Sequence, residues 1–213
     1  MAGTIITVAQ QKGGSGKTTL SAHLAVAGLR GGSVALLDVD PQGSLGEWLE
    51  RREQRLGEDG SNLGFRTASG WGARRESRAL ARDYDLVVVD TPPHADREAR
   101  TAMELASLVV VPVQPTPADL WATEATIDLA LSERTPSLVV LNRVPPRARL
   151  TEEIVEALRK LDAPIAETRI GNRIAFAEAF AIGSTAIESA ASGTAAAEAQ
   201  ALAAEVMAML ADS

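Results

Sequence analysis

The 213-residue sequence predicts an α/β fold, with a single doubly wound, mostly parallel sheet and helices on both faces. First, apolar runs of strand length alternate with helical segments almost throughout the chain. Second, the runs at 4–9, 33–38 and 85–90 each lead into a glycine-rich or aspartate-tipped segment, as strands do at the binding edge of a parallel sheet. Third, no linker, repeat or compositional break divides the chain, so residues 1–213 are expected to form one domain.

The predicted elements alternate in a regular order. Strands are predicted near residues 4–9, 33–38, 64–68, 85–90, 107–112, 137–142 and 163–167. Helices are predicted near residues 17–31, 43–55, 72–82, 96–105, 117–132, 151–161, 172–181 and 194–211. Leu20, Leu24 and Val26 give the first helix an apolar inner face. The polar, glycine-rich segment 57–64 is predicted to be a loop.

A glycine-rich segment follows directly on the first predicted strand, and residues 12–19 read Lys-Gly-Gly-Ser-Gly-Lys-Thr-Thr. Glycines let the backbone turn its N–H groups inward, and the helix that starts near Gly16 adds the positive end of its dipole. The pattern predicts a phosphate-binding loop, in which Lys17 contacts the β- and γ-phosphates of ATP and the Thr18 hydroxyl binds Mg²⁺. The loop residues predicted to bind the nucleotide are Lys12, Gly13, Gly14, Ser15, Gly16, Lys17, Thr18 and Thr19.

This loop departs from the general phosphate-loop pattern at its start. It lacks the first glycine of that pattern and carries a second lysine, Lys12, five residues before Lys17. A phosphate-binding loop has one place for a phosphate-clamping lysine, and two lysines are present here. The second lysine therefore needs a separate role.

Aspartates mark the ends of two further predicted strands. Asp38 and Asp40 are two residues apart, so both carboxylates are expected to project to the same side. Asp90 ends the apolar run at 85–90 and is predicted to hold the Mg²⁺ shell, directly or through water. An aspartate at a strand end can also cap a helix or form a turn, and for Asp90 alone both interpretations stay open.

Three segments together resemble the deviant-Walker-A, or ParA/MinD, superfamily of P-loop ATPases: Lys12–Thr19, Leu37–Ser44 and Val89–Pro93. The proline-punctuated segment Val111–Leu120 is similar to the segment after the fourth main strand of small ParA proteins. The region 169–188 is similar to the C-terminal region of short ParF-type partition ATPases. The resemblance spans essentially the whole chain.

The resemblance implies a Mg²⁺-dependent ATPase with slow intrinsic turnover and with Lys12, Lys17 and Asp40 as catalytic residues. Lys12 corresponds to the signature lysine that crosses to the partner subunit's phosphates in an ATP-sandwich homodimer, where it would act as an arginine finger does. Asp40 corresponds to the residue that orients or activates the attacking water, while Thr18, Asp38 and Asp90 support the metal. Without nucleotide, Lys12 is expected to face Lys17 with nothing between them.

Composition excludes several other functions. The absence of cysteine excludes disulfides, thiolate catalysis and iron–sulfur clusters. No apolar stretch reaches transmembrane length and the chain enters a strand at once, so we expect a cytoplasmic protein. The net charge of −7 argues mildly against nucleic-acid binding, but residues 1–173 carry a net charge of only −2.

Several single residues have two open interpretations. By the resemblance, Arg169 and Arg173 would supply non-specific DNA contacts on the assembled dimer, although they could be ordinary surface arginines. The resemblance also implies that Asn142 binds the nucleotide by reading the adenine edge, although an asparagine here could instead close a strand turn. His23 is expected to be a packing or surface residue, and His94 follows Pro93 in a segment that could act as a switch. The three tryptophans are expected to be core or interface anchors: Trp48, Trp71 and Trp121.

The sequence therefore predicts a ParA-type ATPase, associated with the nucleoid, that dimerises with ATP and binds DNA non-specifically. It would segregate plasmid or chromosomal DNA or position a protein cargo, and a ParB-like or cargo-adaptor protein would stimulate hydrolysis. One alternative is a metabolic P-loop enzyme of the dethiobiotin-synthetase type, which rarely carries a lysine like Lys12. Another is a MinD-like membrane-cycling ATPase. The last predicted helix disfavours it because this helix is alanine-rich and has no Lys or Arg.

Overall fold

The computed structural model describes residues 2–57, 60–70, 72–93, 96–147 and 149–211, so the expectations for Trp71 and His94 lie outside the described residues. Six parallel strands form one sheet in the order β3-β2-β4-β1-β5-β6. The strands are β1 (Thr4–Val8), β2 (Val34–Asp38), β3 (Leu63–Thr67), β4 (Leu86–Asp90), β5 (Leu108–Val113) and β6 (Ser137–Leu141).

Helices connect these strands and follow the last one. In the described residues they are α1 (Lys17–Gly28), α2 (Ser44–Leu56), α3 (Gly72–Asp83), α4 (Asp96–Glu104), α5 (Pro117–Ser132), α6 (Arg149–Leu158), α7 (Ile174–Ala181), α8 (Ala186–Ser189) and α9 (Thr194–Ala211). None of the described helices is long and apolar enough to cross a membrane.

The central strands are apolar on both faces because helices cover both sides of the sheet. Ile6 and Val88 pack into a core that includes residues of α1, α2 and α9. Their neighbours Ile5 and Val87 point the other way and pack against α3 and α4. Successive side chains of a strand alternate between faces, so each five-residue run contributes to two separate cores. The predicted doubly wound sheet is confirmed.

The strand predicted at 163–167 is wrong. This segment runs beside β6, but it makes a single isolated bridge, between Val139 and Ile165. Pro164 has no N–H to donate, and the N–H groups of Glu167 and Thr168 donate to the side chain of Glu205. The pairing with β6 therefore does not extend into a strand, because the carboxylate of Glu205 accepts the N–H groups that would continue it.

Two further features of the fold are a short helix near the end of the chain and the placement of the tryptophans. The short helix α8, which carries a capping box between Thr185 and Glu188, was not predicted. Trp48 is buried in the core, whereas Trp121 on α5 is 67% exposed, so for Trp121 the interface interpretation stays a prediction. The core therefore depends mainly on aliphatic side chains.

Because all six strands are parallel, their carboxyl ends share one edge of the sheet. The loop 9–16 leaves β1 at this edge, and the Asp40 loop leaves β2 there. Asp90 ends β4, and Asn142 follows β6. The edge thus gathers four of the segments that the sequence marks as functional.

Candidate nucleotide-binding site

The loop between β1 and α1 has the backbone of an anion cradle. Gly14 and Gly16 adopt positive φ values of 76° and 95°, which lie in the left-handed region that favours glycine. A Cβ atom on Gly16 would also lie 2.3 Å from Nδ2 of Asn142. The hydroxyl of Ser15 is buried without a hydrogen-bond partner. A loop with this backbone and an unpartnered buried hydroxyl fits a phosphate group.

Lys17 lies inside this loop. Its ammonium donates to the backbone carbonyl of Gln10 at 3.1 Å and to that of Lys12 at 3.4 Å. Burial lowers the pKa of Lys17, while the negative charges of Asp90 and Asp40 act in the opposite direction. The predicted phosphate-clamping lysine is therefore held among carbonyl groups, next to the two carboxylates that the sequence assigned to the same site.

Asp90 lies at the buried end of β4, beside the first turn of α1. Its Oδ1 accepts a hydrogen bond from the Ser21 hydroxyl at 3.1 Å, and its Oδ2 is buried without a partner. Burial raises the pKa of Asp90 to about 7, although the nearby Thr18 side chain acts to lower it. The structure therefore brings together the hydroxyl of Thr18 and the carboxylate of Asp90, as predicted.

These residues fit a Mg²⁺ ion. The described residues contain no group of three His, Cys, Asp or Glu side chains suited to a metal. Mg²⁺ does not need such a cage, because it is usually held by one or two protein oxygens together with substrate phosphates and waters. The orphaned Oδ2 of Asp90 and the adjacent Thr18 hydroxyl are a donor set of this kind.

Asp38 is the last residue of β2 and Asp40 lies two residues later, but the two carboxylates have different surroundings. Asp38 is buried and accepts backbone N–H groups with both oxygens, from Asp40 at 3.0 Å and from Gly46 at 3.4 Å. Asp40 is half-buried, and its Oδ1 accepts the N–H of Gln42 at 2.9 Å. Asp38 thus organises the loop that carries Asp40, and a direct role for Asp38 at the metal stays a prediction.

Lys12 faces Asp119 and not Lys17 in this structure, which differs from the expectation drawn from the sequence. Its ammonium forms an ion pair with Oδ2 of Asp119, in the first turn of α5. The two ammonium groups point to different partners: Lys17 donates to backbone carbonyls within the loop, whereas Lys12 pairs with a carboxylate 107 residues away. The sequence offered no signal for this pair, since Asp119 looks like an ordinary acidic residue at a helix start.

Asn142 joins β6 to the phosphate-binding loop. Its Nδ2 donates to the carbonyl of Ser15 at 2.7 Å, and its Oδ1 accepts the N–H of Arg143 at 2.9 Å. It borders a cavity of about 610 Å³ whose lining also includes Thr19, His23, Gly171 and Phe176. The amide group therefore braces the loop, and its predicted contact with adenine stays a prediction for this cavity.

The two arginines predicted to contact DNA are both paired with carboxylates. Arg169 contacts Glu152 at 2.6 Å, and Arg173 contacts Glu198 at 2.5 Å. Both side chains are 40% exposed. These ion pairs neutralise much of the positive charge that the sequence indicated for this region.

The chain matches the family model described as CbiA, the CobQ/CobB/MinD/ParA nucleotide binding domain, over residues 6–186. The chain belongs to this family. "Maintenance of carboxysome distribution protein A" from Halothiobacillus neapolitanus is 30% identical, over 91% of each chain. "Chromosome-partitioning ATPase Soj" from Thermus thermophilus is 33% identical, over 95% of each chain. The solved structure of apo McdA from Cyanothece has a TM-score of 0.79 over 96% of this chain and 99% of that one, at 16% identity, which shows a shared fold alone.

The predicted superfamily is thus confirmed, and the chain is a ParA/MinD-type ATPase that uses ATP and Mg²⁺. Bound Mg²⁺ would supply Lewis-acid neutralisation of phosphate charge. The chain's own contribution would be positional: Lys17 is held inside a loop that fits a phosphate group, and Thr18 and Asp90 are the residues whose oxygens would hold the metal. Asp40 lies near enough to Lys17 to oppose the fall in its pKa, and its role towards an attacking water stays a prediction.

His23 is a residue whose importance the sequence did not reveal. It is buried on α1, where Nδ1 donates to the carbonyl of Thr19 at 2.7 Å and Nε2 accepts the N–H of Ala186 at 2.9 Å. These two partners set the tautomer, with the proton on Nδ1. His23 thereby ties the helix that starts at the phosphate-binding loop to the start of α8.

Acidification should weaken the fold through His23. Burial lowers the pKa of His23 from the ordinary histidine value of 6.5 to about 4. Because the folded-state pKa is depressed, the neutral ring's contribution to stability is complete above pH 6.5 and is lost as the pH falls towards 4. The loss should approach roughly 3 kcal/mol of unfolding free energy by pH 4. Urea unfolding of the wild type and of His23→Gln, compared at each pH, isolates this contribution; parallel pH profiles would contradict it.

Proposed function

We propose that this ATPase forms an ATP-dependent sandwich homodimer that positions a protein cargo on nucleoid DNA, until a partner protein stimulates hydrolysis. Lys12 carries the proposal. The loop's phosphate-facing interior is already occupied by Lys17, while the side chain of Lys12 is 35% exposed at the rim. A cation at the rim is suited to the triphosphate of a second subunit, where it would neutralise charge on the transferring phosphoryl group.

Dimerisation should depend on both ATP and Lys12. With ATP and Mg²⁺ the wild type should double its mass in light scattering, and Asp40→Ala should hold the dimer longer because water positioning is impaired. Lys12→Ala should bind ATP but stay monomeric, while Lys160→Ala, which removes an exposed lysine on the surface, should behave like the wild type. A wild type that binds ATP and yet stays monomeric would overturn the proposed function.

DNA binding is the second part of the proposal, and it rests on the exposed Arg169 and Arg173. Because each is paired with a glutamate, DNA phosphates would have to replace Glu152 and Glu198. Counterion release makes such binding strongly dependent on salt. Retention on non-specific DNA should therefore require ATP, fall steeply with salt and weaken in Arg169→Ala. Arg159→Ala, which removes an exposed arginine paired with Glu156, is the matched control.

The cargo is proposed to be a protein body rather than DNA, because the similar protein from Halothiobacillus neapolitanus is named for carboxysome distribution. The similarity to the chromosome-partitioning protein Soj supports a DNA cargo as the second candidate. The neighbouring reading frame separates the two. A small basic ribbon-helix-helix protein encoded next door would indicate DNA segregation, and its binding to a centromere-like site would decide for that candidate.

The alternative classes are tested by different additions to the same ATPase assay. A membrane-cycling ATPase would co-sediment with liposomes in the presence of ATP. A ligase of the dethiobiotin-synthetase type would turn over ATP faster with a small carboxylic acid than with DNA. We expect stimulation by DNA together with the partner protein, and by neither lipid nor small acids.

A further inference from the structure

The contact between Lys12 and Asp119 is built into the interior of the chain rather than formed at its surface. Asp119 is fully buried in the first turn of α5. Its Oδ2 accepts the Lys12 ammonium and the Thr116 hydroxyl, while its Oδ1 is buried without a partner. Lys12 is therefore the cation that compensates this carboxylate in the part of the chain that the structure describes.

The backbone that carries Lys12 is held by the same face of α5. The side-chain amide of Gln10 donates to the Thr123 hydroxyl at 2.9 Å, and its carbonyl accepts the Thr126 hydroxyl at 3.1 Å. The N–H of Gln11 also donates to the Thr126 hydroxyl, at 3.3 Å. Three successive residues are thus attached to α5: Gln10 through its side chain, Gln11 through its N–H group and Lys12 through the ion pair.

Separating the pair would be strongly unfavourable, because it would leave a buried carboxylate with only the Thr116 hydroxyl as a side-chain partner. The lysine can serve a second anion without leaving the first. An ammonium has three N–H donors, and one of them is sufficient for Asp119. The side chain of Lys12 is 35% exposed, so its remaining donors can be reached from solvent.

We propose that Asp119 is the positioning residue for Lys12, an inference that rests on the proposed ATP-sandwich dimer. The buried carboxylate holds the Lys12 ammonium at the rim of the loop and away from Lys17. The cation is thereby presented to the triphosphate of a second copy of the chain instead of to the chain's own nucleotide. Asp119 itself touches no phosphate in this scheme.

The first test examines the pair in the nucleotide-free monomer. The sequence contains three lysines, namely Lys12, Lys17 and Lys160, so acetylation of each can be followed by mass spectrometry. In the wild type, the ion pair with the buried Asp119 should hold the Lys12 ammonium away from the reagent, so Lys12 should be acetylated at least roughly 5-fold more slowly than the exposed Lys160. Asp119→Asn should remove that difference, while Asp128→Asn, on the exposed face of the same helix, should not. Equal rates for Lys12 and Lys160 in the wild type would overturn the inference.

The second test examines dimer formation with ATP and Mg²⁺. Asp119→Asn should bind ATP as the wild type does, because no residue of the phosphate-binding loop is substituted. The dissociation constant of its ATP-bound dimer should be roughly 10-fold higher. A merely structural role would weaken both steps alike. If Asp119→Asn dimerises as tightly as the wild type, the positioning role is wrong while the proposed function stands. If the wild type itself fails to dimerise, the proposed function fails, and the acetylation rates still report on the pair.

Discussion

Lys17→Ala should abolish tight ATP binding. The Lys17 ammonium lies 3.1 Å from the carbonyl of Gln10, inside the loop that also carries the left-handed Gly14 and Gly16. Phosphate oxygens would replace these neutral carbonyls as its partners, so its full charge contributes to binding. We expect at least about a 100-fold loss of ATP affinity, which is the size of effect seen when one preorganised donor to an anionic group is removed.

Titration calorimetry with ATP and Mg²⁺ measures this loss, and a thermal melt establishes that the variant is folded. Lys160→Ala is the matched control, because it removes an exposed lysine outside the loop and should leave ATP binding unchanged. Lys17→Arg should not rescue binding, since a planar guanidinium does not fit a space shaped for a compact ammonium. Near-normal affinity in Lys17→Ala would contradict the assignment of this loop as the phosphate site.

Glu188→Ala should cause the largest loss of stability among surface-accessible carboxylates. Glu188 forms two hydrogen bonds of 2.8 Å with the guanidinium of Arg52, whose side chain is only 3% exposed. The same guanidinium lies 5.5 Å from the centre of the Trp48 ring. Removing Glu188 leaves this charge buried without its partner and also breaks the capping box of α8. We expect a loss of about 3–5 kcal/mol in the free energy of unfolding.

Urea unfolding at pH 7.5 measures the effect. Glu188→Gln should be intermediate, because glutamine can still accept the Thr185 N–H of the capping box but carries no charge for Arg52. Glu153→Ala is the matched control, since it removes an exposed partner of Arg149 on α6 and should change stability very little. A loss in Glu188→Ala as small as that in Glu153→Ala would show that the Arg52 pair is not important for the fold.

This pair also bears on the site. The helix α2 begins directly after the loop that carries Asp40, and Trp48 and Arg52 anchor it to the segment 184–188. His23 joins the same segment to the helix that starts at the phosphate-binding loop. The two elements that approach the phosphates from β1 and β2 are therefore anchored to one shared region of the chain. Partial unfolding of that region should lower both stability and ATP binding.

Local patterns in the sequence were sufficient for the sheet and for the nucleotide edge. Apolar runs of five or six residues predicted five of the six observed strands, and the regular alternation with helices predicted β3, whose sequence is Leu-Gly-Phe-Arg-Thr. The aspartates and glycines at the strand ends predicted which segments meet. The prediction failed for 163–167, where the run is similarly apolar. There the outcome depended on Pro164 and on Glu205, which belongs to a helix far along the chain.

By itself, the sequence determined the family, the phosphate-binding loop and the parallel order of strand and helix, because each of these is encoded within a few consecutive residues. Only the tertiary structure decided the partners of the charged groups: Asp119 for Lys12, Glu152 for Arg169 and Glu188 for Arg52. The members of the first pair are 107 residues apart, and nothing near Lys12 marks which carboxylate it will meet. An ion pair forms where packing brings two charges together and excludes water, and packing is a property of the whole fold.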